Sequence, residues 1–120
     1  MKSKISYRTD PITINKAAIA ATAMNVSIEE IARRAIVEFA SFLESEQRNC
    51  KEGRSIAKTV DIDGCTERVL QEATMRTGLT QSTVIHKCLK KYLEFHKQQI
   101  RLDFELLRNR LNLVAQALAA

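Results

Sequence analysis

Three cysteines and two histidines are the residues of this 120-residue chain best suited to binding a metal or acting as nucleophiles, and their spacing suits neither task. Cys50, Cys65 and Cys88 form no CxxC pair, and an odd number of thiols cannot close into a full disulfide set. His86 and His96 stand ten residues apart, and neither has a His or Cys at the i+4 spacing of a helical zinc site. No Gly-rich phosphate loop is present, and no His accompanies a nucleophile in a recognisable motif. The sequence therefore predicts reduced thiols, with Cys88 on a buried helix face, and no catalytic residue, metal, cofactor or small-molecule substrate. A net charge of +5 suits an anionic partner, although such a charge also keeps a small domain soluble. Divided at Arg54, the chain carries 9 Lys/Arg against 7 Asp/Glu before and 10 against 7 after, so neither half is a basic tail and charge must act through placement.

The elements that would position any site repeat. NVSIEEIARRAIVEFASF (25–42) aligns without a gap on GLTQSTVIHKCLKKYLEF (78–95), an offset of 53. Ile31 falls on Val84, Ala32 on Ile85, Ala35 on Cys88, Ile36 on Leu89, Phe39 on Tyr92 and Phe42 on Phe95. These positions make one apolar stripe at helical spacing. Ser27 and Thr80 stand where a cap accepts a backbone N–H, and Glu30 completes a capping box with Ser27. Asn25 and Gly78, two residues earlier, tolerate the left-handed conformation that ends a preceding helix. That first helix is expected over about 13–24 and 66–77, with Pro11 favouring a start just beyond it and Thr66 suited to a cap.

Ahead of each helix pair the period changes from 3.6 to 2. Lys4 to Thr9 corresponds to Ala57 to Ile62, with β-branched or aromatic residues at alternate positions, so each unit begins with a strand. One strand leaves its backbone groups unpaired, and about 45 residues bury too little core. Antiparallel pairing of the two strands answers both problems. Ile5, Tyr7, Val60 and Ile62 would then face the helices, and Lys4, Ser6, Arg8, Thr59 and Asp61 would face outward. Lys58 falls on the inward parity and must reach solvent at the ribbon's end. The expected fold is mainly α with a small two-stranded antiparallel β-ribbon, a pseudo-dimer of two units plus a C-terminal helix. Its divisions are 1–45, a linker at 46–54, a second unit at 55–97 and an amphipathic helix at 98–120.

Strand, helix, a turn with Asn-Val-Ser or Gly-Leu-Thr, then a longer helix: this order resembles the ribbon-helix-helix family of DNA-binding proteins, the Arc and MetJ type. The resemblance covers roughly residues 3–45 and 55–97. Its two units in one chain look like the fused pairs among conjugative-plasmid relaxosome accessory proteins. The resemblance implies a ribbon in the major groove of double-stranded DNA, with Lys4, Ser6, Arg8, Thr59 and Asp61 as base-contacting residues. Asp61 departs from the pattern, since an acid in the groove repels phosphate. The starts of the long helices would hold phosphates through Ser27 and Ile28 in one unit and Thr80, Gln81 and Ser82 in the other. Glu29 and Glu30 weaken the first of these, so the second should grip harder. Transcriptional repression or a plasmid-transfer role would follow.

Two other readings compete. Ala17 to Ile36 also fits a helix-turn-helix regulator, which would put Ile28, Glu29, Arg33 and Arg34 near the bases. Beyond His96, Ile100, Phe104, Leu107, Leu111, Val114 and Leu118 recur at steps of 4, 3, 4, 3 and 4, the a/d pattern of a helix that packs on another helix. That helix either folds back on its own chain, joins two chains, or docks a protein partner in the manner of an antitoxin. The apolar run from Ile12 to Met24 is too short and polar to span a bilayer, and Met-Lys-Ser-Lys lacks the apolar stretch of a signal peptide. The expectation is a cytoplasmic protein that does not enter membranes.

Overall fold

A computed structural model describes residues 3–44 and 53–119. Cys50 and positions 46–52 of the expected linker lie outside the described residues. The elements run β1 (Ser3–Thr9), α1 (Pro11–Met24), α2 (Ile28–Phe39), a 3-10 turn (Ala40–Phe42), β2 (Ile56–Ile62), α3 (Gly64–Thr77), α4 (Gln81–Phe95) and α5 (Lys97–Ala119). The described chain is mainly helical, with a two-stranded antiparallel sheet.

The helices begin earlier than hydroxyl caps alone suggest. Asp10 and Asp63 are the caps of α1 and α3, their Oδ1 atoms accepting from the Thr13 N–H at 2.6 Å and the Thr66 N–H at 2.8 Å. Thr66 is therefore the third residue inside α3 rather than its cap. A carboxylate at this position serves better than a hydroxyl because it also meets the positive end of the helix dipole. The hydrogen bond from the Thr66 backbone holds the Asp63 carboxyl below its ordinary value. α1 and α3 end on left-handed residues, Asn25 (φ 56°) and Gly78 (φ 73°).

α2, at 12 residues, is shorter than α1 at 14, so the first unit departs from the expected order of a short helix followed by a longer one, its stripe running on into the 3-10 turn instead. The second helices nonetheless carry the expected caps. Ser27 Oγ accepts from the Glu30 N–H at 3.0 Å, and Thr80 Oγ1 from the Thr83 N–H at 3.2 Å. Ser27→Ala is expected to cost about 1 kcal/mol of stability, read as a lower urea midpoint with an unchanged slope.

The apolar stripes of α2 and α4 meet at the centre of the molecule, where Ile31, Ala32, Ala35, Ile36, Val84, Ile85, Cys88 and Leu89 are fully buried. The stripe fades at its end: Tyr92 is buried and Phe39 half-buried, whereas Phe42 and Phe95 are exposed. Over this layer lies the ribbon, with Tyr7, Val60 and Ile62 buried and Ile5 half-buried beneath it. β1 packs on α4 and β2 on α2, so each strand covers the second helix of the other half of the chain.

The two flanking helices differ in character. α3 carries Glu67, Arg68, Glu72 and Arg76, but α1 has only Lys16 as a charged residue and shows Ile12 and Ile19 on its outer side. α5 accordingly packs along α1. Its stripe divides into two parts. Ile100 is buried and Phe104 and Leu107 are half-buried, while Leu111, Val114 and Leu118 are 58%, 52% and 82% exposed. The helix continues beyond the body that supports its first half, and the molecule measures 59 × 32 × 23 Å.

Candidate nucleic-acid interface

β1 and β2 pair with Lys4 opposite Asp61, Ser6 opposite Thr59 and Arg8 opposite Ala57. These six share the outer face of the ribbon. Lys4, Ser6, Arg8, Ala57 and Thr59 are exposed, and Asp61 is half-buried. Directly opposed residues on one face stand about 4.5–5.5 Å apart at Cβ, so Lys4 and Asp61 are cross-strand neighbours of opposite charge. Ala57 adds a small apolar group that parity alone could have assigned to this face. Lys58 shares its parity with Tyr7 yet is exposed.

The helix starts lie along the two edges of the ribbon. On one edge the Arg8 backbone N–H donates to Ser82 Oγ at 2.8 Å, joining β1 to the first turn of α4. On the other, the Asp61 N–H donates to Glu29 Oε1 at 3.2 Å, joining β2 to the first turn of α2. Ser27, Ile28 and Glu29 thus flank one side of the outer face, and Thr80, Gln81 and Ser82 flank the other. Both bonds join residues far apart in sequence.

Electrostatically the two edges are unlike. The first turn of α2 carries two acids, Glu29 and Glu30, and Glu30 holds Arg33 at 2.7 Å and Arg34 at 3.2 Å. The start of α4 has no acid in its first turn. Behind it is Arg54, only 6% exposed, whose Nη2 donates to Thr83 Oγ1 at 3.0 Å. Thr80 donates to the same Thr83 oxygen at 3.0 Å. Arg54 Nε and Nη1 are buried without a hydrogen-bond partner. A buried cation at one helix start adds to the dipole there. An arginine at the edge of an expected linker carries no sequence signal of burial.

Beside Arg54, His86 is buried under the ribbon's end. Its Nδ1 is hydrogen-bonded to Thr9 Oγ1 at 2.9 Å, and its Nε2 stands 3.8 Å from Asp10 Oδ2. Burial and the Arg54 charge push its pKa down to about 4. Burial likewise raises the Cys88 thiol to about 12, which keeps it protonated and unreactive.

No family model matches the chain, and no curated protein or solved structure is detectably similar to it.

The remaining candidate residues are dispersed. Among the described residues, no three His, Cys, Asp or Glu side chains gather where they could hold a metal ion. Cys65 is exposed and Cys88 buried, both free. His96 lies at the far end of α4, its Nε2 2.9 Å from both oxygens of Glu38. Arg33 and Arg34, the bases' neighbours in a helix-turn-helix reading, are engaged by Glu30. No helix among the described residues is long and apolar enough to cross a membrane.

Proposed function

We propose that this chain is a double-stranded-DNA-binding protein of tandem ribbon-helix-helix architecture that reads the major groove with the outer face of its ribbon. One observation carries the reading. Ser6 faces Thr59, its own counterpart 53 positions on, while Lys4 faces the counterpart of Arg8 and Arg8 faces the counterpart of Lys4. This register, and the Arg8–Ser82 and Asp61–Glu29 bonds that match at the same offset, support a local two-fold relation between the two units about the Ser6–Thr59 pair. A two-stranded ribbon of this width fits the major groove, where arginine bonds guanine through two atoms and an acid accepts from cytosine. The flanking helix starts are then aimed at the phosphates on either side.

Departures from symmetry make the recognition lopsided. Arg8 corresponds to Asp61, so the two half-sites differ and the target need not be a palindrome. The α4 start, free of acids and backed by Arg54, is the stronger phosphate clamp. A helix-turn-helix reading fits less well, because α2 is packed against α4 and β2 and its Glu29 and Glu30 are tied down. Repression of transcription or an accessory role in plasmid transfer both follow from such binding, in the cytoplasm. A protein partner on α5 is the second reading, favoured by the exposed end of that helix.

Titrating duplex binding against salt tests the proposal. Log affinity should fall linearly with log salt at about −0.9 per neutralised phosphate. Arg8→Ala is expected to reduce discrimination between preferred and random duplex by about 1–3 kcal/mol, while Gln81→Glu should weaken all duplexes alike. Binding that ignores salt, or site preference untouched by Arg8→Ala, would remove the ribbon from the recognition surface.

A further inference from the structure

We infer that the trough between α1, the end of α4 and the start of α5 is a binding site for a small amphipathic anion, an aliphatic carboxylate of medium chain length. The cavity measures about 600 Å³, within the roughly 300–1,000 Å³ of ordinary small-molecule sites. Its apolar lining comes from all three helices. Ile12 and Ile19 stand seven residues apart on one side of α1, Leu93 lies in the last turn of α4, and Ile100 lies in the first turn of α5. Leu93 and Ile100 are buried, whereas Ile12 and Ile19 are 69% and 46% exposed and would be covered by an occupant. The two isoleucines mark out about 10 Å at 1.5 Å per residue, the length of an extended chain such as decanoate.

The charge around the trough selects the occupant. Lys16 on α1, Lys90 and Lys91 on α4 and Lys97 at the start of α5 all line it and all are exposed. Only two acids share the lining. Asp10 is already engaged, accepting from the Thr13 N–H at 2.6 Å and lying near His86 and Lys90, and Glu94 is exposed. Among the described residues, none of the four lysines is in an ion pair. Lysine stems can flank an apolar chain while their ammonium groups stay in water, where a carboxylate head can meet them. A cationic amphiphile would bring a like charge among four lysines, and a neutral one would leave them without a counter-ion. The site uses none of the outward residues of the ribbon, so it stands apart from DNA reading.

Calorimetric titration of the full chain with decanoate, below the concentration at which it forms micelles, tests the assignment. One decanoate per chain is expected, with affinity falling about twofold to fourfold for each methylene removed in octanoate. Decanol and decyltrimethylammonium should bind at least about fivefold more weakly. Lys16→Glu and Lys97→Glu should each weaken decanoate and leave decanol unchanged, a difference that damage to the fold would not produce. Ile19→Asp and the more exposed Ile12→Asp should both abolish binding with unchanged circular dichroism. Amide chemical shifts should move at residues 12–19 and 93–100. The proposal is overturned by no saturable binding up to the millimolar range, by equal affinity for decanol and decanoate, or by folded Ile12→Asp and Ile19→Asp chains that bind like the wild type. Shifts centred on residues 111–119 would move the ligand to the exposed end of α5 and overturn it too. So would capture by phosphatidylglycerol vesicles without binding of free decanoate, which would make this face a membrane contact instead.

Discussion

Replacing Leu89 with alanine is expected to lower the free energy of unfolding by about 2–5 kcal/mol and to do so in one transition that melts both halves of the chain. Leu89 is fully buried in α4, where that helix meets α2 and lies beneath β1. A domain of this size has only about 5–15 kcal/mol to lose, so the variant should be close to unfolding at physiological temperature. Cooperativity follows from the crossing of strands and helices. β1 covers α4 and β2 covers α2, so neither half closes its own core and neither keeps its strand paired when the other melts. Ile36→Ala, 53 positions earlier and equally buried, should cost less to about the same amount and also act on the whole molecule. Residue-resolved hydrogen exchange in urea is the decisive measurement. Were Ile36→Ala to unprotect only residues 3–44 while 56–119 kept their protection, the shared core would be rejected.

The parts of this fold that were legible in the sequence are those where burial imposes a period. A stripe at 3.6 spacing written twice locates α2 and α4, and alternation at 4–9 and 57–62 locates the strands and separates Lys4, Ser6 and Arg8 from Ile5 and Tyr7. Once the offset of 53 is known, pairing Ser6 with Thr59 is the symmetric register. The Asp caps were legible too, as Asp-x-x-Thr at 10–13 and again at 63–66, but the hydroxyl of Thr66 was the more conspicuous signal. What periodicity does not encode is which partner an apolar face finds. The a/d stripe of α5 is uninterrupted from Ile100 to Leu118, and its division falls where α1 ceases to support it. Long-range polar contacts are equally silent. Nothing in the neighbours of Arg54 announces that it will reach Thr83 across 29 residues, or that the backbone of Arg8 will be held by Ser82.

Acidification from about pH 6.5 to pH 4 is expected to remove about 3 kcal/mol of stability through His86 alone. Burial, reinforced by the charges of Arg54, Lys90 and Lys87 and opposed by Asp10, lowers the folded-state pKa from 6.5 to about 4. As pH falls through this window the unfolded chain takes up a proton that the folded chain refuses, so stability is complete above pH 6.5 and declines at up to about 1.36 kcal/mol per pH unit until the folded histidine itself titrates. The capping carboxylates act in a different range. Asp63 is held below its ordinary value of 3.8 by Thr66, and Asp10, despite the opposing effect of burial, by Thr13, His86 and Lys90. Their stabilisation is lost only as pH falls further, below about 4. His86→Gln stays neutral throughout and can still meet Thr9. Urea unfolding across this range should therefore show a steep decline in the wild type, a flatter one in His86→Gln, and a further loss in both below pH 4 that is smaller in His86→Gln, where Asp10 has lost its imidazolium neighbour. Parallel curves for the two proteins between pH 6.5 and 4 would mean that His86 accepts its proton in the folded state, and that the contact joining β1 to α4 opens to solvent.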